Sequence, residues 1–225
     1  MIPQDAHDVR DPELPGLLLR TERDALIPLL RARPEDDFAR LTAGCPAWTV
    51  RDVLAHCSAV LTRVVERRFE PGVFEAEVND RDIAERADWP TARVIDELEH
   101  GMTEAGPAIA RTRGVLDAVA LGEWIHAGDV REAFGEPGAY EGEGLPHALA
   151  LLVRFSRESD GVPLHADLDQ LDDPLLLGGV PGDRPPARYI GDAATLVRLF
   201  SGRPVPKTTT YELVGAREEE LNLFG

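Results

Sequence analysis

The chain has 225 residues, 43% of them apolar and 29% charged, an ordinary globular composition that argues against disorder over most of its length. Its formal net charge of −17 excludes a phosphate-tracking surface, because nucleic-acid binding rests on Lys and Arg neutralising phosphates and no basic block occurs here. No apolar run approaches the ~20 residues that span a bilayer. The opening MIPQDAHDVRDPELPG has no basic stretch followed by an apolar one, so the chain is expected in the cytoplasm, with Cys45 and Cys57 as reduced thiols.

Residues 1–13 are polar with scattered Pro and read as a loosely held lead-in. LLLRTERDALIPLLRAR then sets Leu18, Leu19, Leu26, Leu29 and Leu30 at roughly helical spacing and predicts the first helix. A short helical turn is expected near Pro34 to Leu41, before Gly44 and Pro46 punctuate the chain. The second long helix is predicted from about Thr49 toward Phe69, with Thr49 as N-cap and Asp52 at the position of a capping-box acid. A third starts at Thr91 and buries Val94, Leu98, Met102 and Ile109, with a kink or break expected at Pro107. The fourth runs from about Leu116 to Phe134 and stops at Gly135, with Pro137 just beyond. A fifth, LPHALALLVRFSRES, is strongly apolar along Leu145, Leu149, Leu152 and Val153. Short connections between these helices favour antiparallel neighbours and hence an up-and-down bundle. After Asp160 the texture changes to short apolar runs bounded by Gly, Pro and Asp, which predict strands around a helix at DAATLVRLFSGR and a last helix at AREEELNLF. The fold class is therefore α+β and mostly α, with a bundle over 14–160 and a small α/β appendage over 161–225.

On the second helix, Val50, Val53, His56, Val60 and Val64 are spaced by three or four residues, so His56 shares the apolar face that points into the bundle. On the fourth, Val119, Glu123, His126, Val130 and Ala133 put a carboxylate and an imidazole side by side on such a face. An ionised carboxylate in an apolar core is costly unless paired, and imidazoles with a carboxylate are the donors that zinc or iron takes. His56, Glu123 and His126 are therefore expected to hold one divalent metal, zinc first, with a position left open for a water or a substrate atom. The bland alternative is a satisfied core histidine and a neutral hydrogen-bonded Glu123–His126 couple. Asp52 lies one turn before His56, where it either caps the helix or orients the histidine from behind. Asp129 is placed to orient His126 or to pair with Arg131 or Arg51. Cys57 points away from the His56 face and reads as a small core residue. His7, His100, His147 and His165 read as surface or edge histidines, and no nucleotide-binding glycine loop is present.

The segments WTVRDVLAHC (48–57) and GEWIHAGDVREAFG (122–135) resemble the mycothiol-dependent maleylpyruvate isomerase family. The likeness maps onto Trp48, Asp52, Val53 and His56 in the first segment and His126, Asp129, Val130 and Arg131 in the second, and DAATLVRLFSGRPVPKTTTYELVGAREEELNLF extends it toward the C-terminus. The resemblance implies a DinB-like metal-binding four-helix bundle with a small α/β domain after it, and mycothiol as a thiol cofactor. It further implies a small electrophilic substrate, with isomerase or S-transferase chemistry. In the isomerase reaction the thiolate adds to a conjugated double bond, the resulting single bond rotates, and expulsion restores a trans alkene. One departure stands out: the family sets its metal-binding Glu four residues before the second His, where this chain has Gly122, with Glu123 only three before. Both spacings keep the pair on one helix face. That displaced carboxylate favours the alternative, a non-catalytic bundle that binds a small ligand or a partner protein.

Overall fold

The computed structural model describes residues 10–69, 76–169, 171–180, 182 and 185–224. Most of the expected lead-in, together with His7, lies outside them. Helices α1 (Leu14–Arg31), α2 (Val50–Glu66), α4 (Thr91–Ala110) and α5 (Asp117–Phe134) pack as a bundle, and α6 (Leu145–Glu158) lies against α1 and α5. A short helix, α3 (Ala76–Glu85), joins α2 to α4, and a 3-10 turn at Glu35–Ala39 follows α1. Among the described residues no helix is long and apolar enough to cross a membrane.

Each boundary has a local cause. Thr49 and Asp52 form the reciprocal cap expected of them, with Asp52 N–H donating to Thr49 Oγ1 at 3.2 Å and Thr49 N–H to Asp52 Oδ2 at 2.9 Å. The second helix ends at Glu66, short of Phe69, because Arg67 adopts the left-handed conformation (φ 56°). Gly135 (φ 75°) closes α5 where a side chain would be strained. Pro107 does not break α4, which continues to Ala110: its missing N–H falls in the last turn, where little helix remains to be lost. Helix α3 went unpredicted. It is polar in sequence and is tied to α2 by the buried Arg63–Asp82 ion pair, in which Arg63 Nη2 donates to Asp82 Oδ2 at 2.7 Å.

The strands predicted after Asp160 form one sheet. Its members are β1 (Leu164–Leu168), β2 (Leu175–Leu177), β3 (Ala187–Gly191) and β4 (Glu212–Val214), in the order β2-β1-β3-β4. β1 and β3 pair in parallel, and the outer pairs are antiparallel. Alternate residues Leu164, Ala166 and Leu168 of β1 and Ala187 and Tyr189 of β3 are buried. Helix α7 (Ala193–Phe200) follows β3, capped by Asp192 through Thr195, and α8 (Glu218–Leu221) follows β4. Most of the buried apolar side chains form one cluster running from the bundle to the sheet and α7. The turn after α7 thereby comes to lie against α5.

Candidate metal centre

Two of the expected residues meet. His56 on α2 and His126 on α5 face each other with ring centres 5.4 Å apart and planes at 79°. The loop 42–48 is folded over them by a tight turn, with Trp48 N–H donating to Cys45 O at 2.8 Å and Thr42 N–H to Trp48 O at 3.1 Å. That turn sets the Trp48 indole beside both histidines, 5.1 Å from the His56 ring and 6.3 Å from that of His126. His56 is half-buried, but its Nδ1 is shut off from solvent and has no hydrogen-bond partner. Burial, then the nearby His126 and Arg63, push its pKa down to about 3. The imidazole is thus neutral at physiological pH, the form that binds metal.

Glu123 is buried in the apolar interior, as its spacing predicts, but it turns toward the Cys57 thiol of α2. Burial pushes its pKa up to about 8, against a hydrogen bond with Cys57 that acts to lower it, and Oε2 has no partner. The Cys57 thiol is held well above its ordinary pKa by burial and then by Glu123, so it is inert toward electrophiles. It is a buried core residue, as expected, with an added polar contact.

Behind His126 stands a network that local spacing did not disclose. Asp129 is fully buried and takes a hydrogen bond from His126 Nδ1 at 3.0 Å, as one of the two expectations for it had it. Its cation, however, is neither Arg131 nor Arg51. Arg131 pairs with the buried Glu22 of α1, and Arg51 donates to the carbonyls of Arg86, Ala87 and Trp89. The partner is Arg203, in the turn after α7, with Nε 3.2 Å from Oδ1 and Nη2 2.9 Å from Oδ2. Tyr140 OH donates to Oδ1 at 2.5 Å. Gly128 makes this reach possible, because a Cβ there would stand 2.5 Å from the Tyr140 ring. Burial alone would raise the pKa of Asp129, but the hydrogen bonds from His126 and Arg203 outweigh it and hold the carboxyl well below the usual range. Asp52 hydrogen-bonds to Thr49 within the α2 cap.

Among the described residues, Cys45, His126 and Asp129 bring ligand atoms within 4.8 Å of one another, whereas His56, Glu123 and His126 are not drawn that tightly together. The Cys45 trio is nonetheless a poor cation site, since Arg203 Nη2 already touches each member: 2.9 Å from Asp129 Oδ2, 3.5 Å from His126 Nδ1 and 4.0 Å from Cys45 Sγ. The Cys45 thiol is pushed up to about 11 by burial and then by Asp129, with Arg203 opposing. The residues that fit a divalent ion better are the neutral His56, His126 held from behind through Nδ1, and Glu123 with its unpartnered oxygen.

A family model described as the mycothiol maleylpyruvate isomerase N-terminal domain matches residues 19–134. No curated protein sequence matches the chain. Among solved structures, a mycothiol-dependent maleylpyruvate isomerase is 18% identical over 92% of this chain and 94% of its own, with a TM-score of 0.55. A histidine-to-alanine variant of such an isomerase is 17% identical over 88% and 91%, with a TM-score of 0.53. These structures share the fold, and the family match spans more than half of the sequence, from α1 through to the end of α5. The chain belongs to the mycothiol maleylpyruvate isomerase N-terminal domain family.

Proposed function

We propose that this protein is a metal-dependent, mycothiol-using isomerase or S-transferase that acts on a small electrophile, with one divalent ion, zinc first, held by His56, Glu123 and His126. The observation that carries the reading is the pair of facing histidines in a chain of this family, one of them neutral with an orphaned buried nitrogen. The ion, when bound, supplies the Lewis acidity that lets a thiol persist as thiolate near neutral pH.

The chain's own residues prepare the place. His56 offers an uncharged imidazole, and His126 is pinned through Nδ1 by Asp129, which leaves Nε2 as its donor atom. Glu123 would complete the set by turning its carboxyl from Cys57, where its charge would find a partner. Trp48 walls one side of the histidine pair with an apolar ring and limits water there. Neither cysteine competes as nucleophile, since both thiols are held above their ordinary pKa. The added low-molecular-weight thiol is therefore the reacting one.

The test is elemental analysis of untagged protein, followed by titration of zinc into the stripped chain and of mycothiol into the zinc form. About one equivalent of metal and thiol binding that requires it are expected. Protein that carries no transition metal and takes none up sinks the reading. It promotes a non-catalytic bundle, which the contact of Glu123 with Cys57 favours.

A further inference from the structure

We infer that Arg203, outside the residues that match the family model, is a positioning residue for His126: by clamping Asp129 it selects the His126 tautomer whose Nε2 is free to bind. The inference rests on the metal reading for what Nε2 binds, and on geometry alone for the tautomer.

Asp129 is saturated. Its Oδ1 accepts from Arg203 Nε and Tyr140 OH, and its Oδ2 accepts from Arg203 Nη2 and His126 Nδ1, so the four acceptor sites of a carboxylate are all in use. It has no lone pair left for an ion, and it acts on the chemistry only through His126. An ionised carboxylate has no proton to give, so the 3.0 Å contact requires the proton on His126 Nδ1. Nε2 then carries the lone pair.

The guanidinium is itself placed in advance. Arg203 N–H donates to Arg198 O at 2.8 Å, and Nη1 donates to Ser201 O at 2.7 Å, so the C-terminal end of α7 aims the side chain before Asp129 receives it. Two parallel N–H···O bonds fix the plane of the carboxylate as well as its position. That plane decides whether Oδ2 lies opposite Nδ1. Tyr140 holds a single point on Oδ1 and cannot set the plane alone. Without Arg203 no other described residue holds Oδ2 against the imidazole, and the Nε2–H tautomer, which offers no donor electron pair at Nε2, becomes accessible. The centre in the bundle is thus completed by a residue 74 positions after Asp129.

The experiment uses the full chain, uniformly labelled with 15N, and reads two quantities: the His126 tautomer in the metal-free protein, from long-range 1H–15N correlation, and the zinc dissociation constant. The parent should show Nδ1–H. Arg203→Met should show a mixture or Nε2–H and should weaken zinc binding roughly 10- to 100-fold, the span usual for loss of a group that orients a metal-binding His. Arg203→Lys, which restores one charged donor, should recover part of both. An Arg203→Met protein that keeps a pure Nδ1–H tautomer with unchanged zinc affinity overturns the inference. If that variant does not fold, Arg203→Gln is read in the same way, since its amide is uncharged and supplies no guanidinium fork. Failure of the parent to bind zinc sinks the metal reading, and the tautomer comparison, which needs no metal, then decides this one.

Discussion

Glu123 of α5 faces the thiol of Cys57 on α2 inside the bundle, and its Oε2 has no hydrogen-bond partner. A carboxyl so placed is either a neutral acid in the core or an ion ligand waiting to turn, and substitution separates the two. If it is a ligand, Glu123→Gln weakens zinc binding by at least ~10-fold, because an amide is a poorer donor and the site loses a negative charge. Gly122→Glu combined with Glu123→Gly should then recover it. A Cβ at Gly122 meets nothing within 4 Å, and Gly at 123 costs about 1 kcal/mol of helix stability. Zinc titration with a competing chelator checks both, and a Glu123→Gln protein as tight as the parent removes Glu123 from the ligand set.

The metal-free protein should lose stability between about pH 6.5 and pH 8. Burial raises Glu123 to about 8 when folded, so the folded state holds a proton that the unfolded state has already released, and stability falls as pH climbs toward 8. The opposite case is His56, lowered to about 3: its contribution is complete above the unfolded value near 6.5 and is lost as pH falls. Below pH 6.5 the two trends oppose each other. Above it Glu123 stands alone and lowers stability by about 2 kcal/mol by pH 8, the part of its rise that lies above pH 6.5. Urea unfolding at closely spaced pH values should show the decline in the parent and a flat line in Glu123→Gln. The same slope in both proteins would refute the assignment.

Removing a bound metal should destabilise the bundle by several kcal/mol, since the folded state loses the binding free energy of the site and Glu123 must take up a proton to stay buried. Calorimetry before and after a chelator reads this directly. An unchanged Tm in protein shown to be stripped would contradict it.

Gly44→Ala tests the network behind His126. A Cβ there would overlap the Asp129 carboxylate and lie 3.1 Å from Arg203 Cγ. The carboxylate has no slack, so the variant should lose about 1 to 3 kcal/mol, the usual cost of overpacking a fixed site. An unchanged urea midpoint would show that the network is looser than its geometry.

Much of this was legible in the chain. The three- and four-residue spacings put His56 and His126 on apolar faces, and those faces meet. Gly135 ended α5 as a left-handed residue should. The resemblance to the isomerase family, carried by WTVRDVLAHC and GEWIHAGDVREAFG, matches the family that the chain belongs to. What stayed hidden came from far away in sequence. The sequence offered Asp129 the cations of the two motif helices, Arg131 on its own and Arg51 on the facing one, whereas the fold gave those to Glu22 and to backbone carbonyls and brought in Arg203. Cys45 and Tyr140 lie in loops, where no period marks a facing side. Helix α3 has a polar sequence that periodicity could not flag, and its tether, Asp82, pairs with a residue on another helix.

The span between Asp129 and Arg203 also bears on the order in which the protein is made. Translation delivers α5 with its buried carboxylate well before the cation that neutralises it, so the nascent bundle carries an unmatched negative charge until 74 further residues have been added. The last turn of α7 therefore acts as a closing stitch. Ribosome-bound chains arrested with residue 203 still inside the exit tunnel should be cut by protease much faster than chains released past it, and equal resistance would mean that the bundle matures without its final cation.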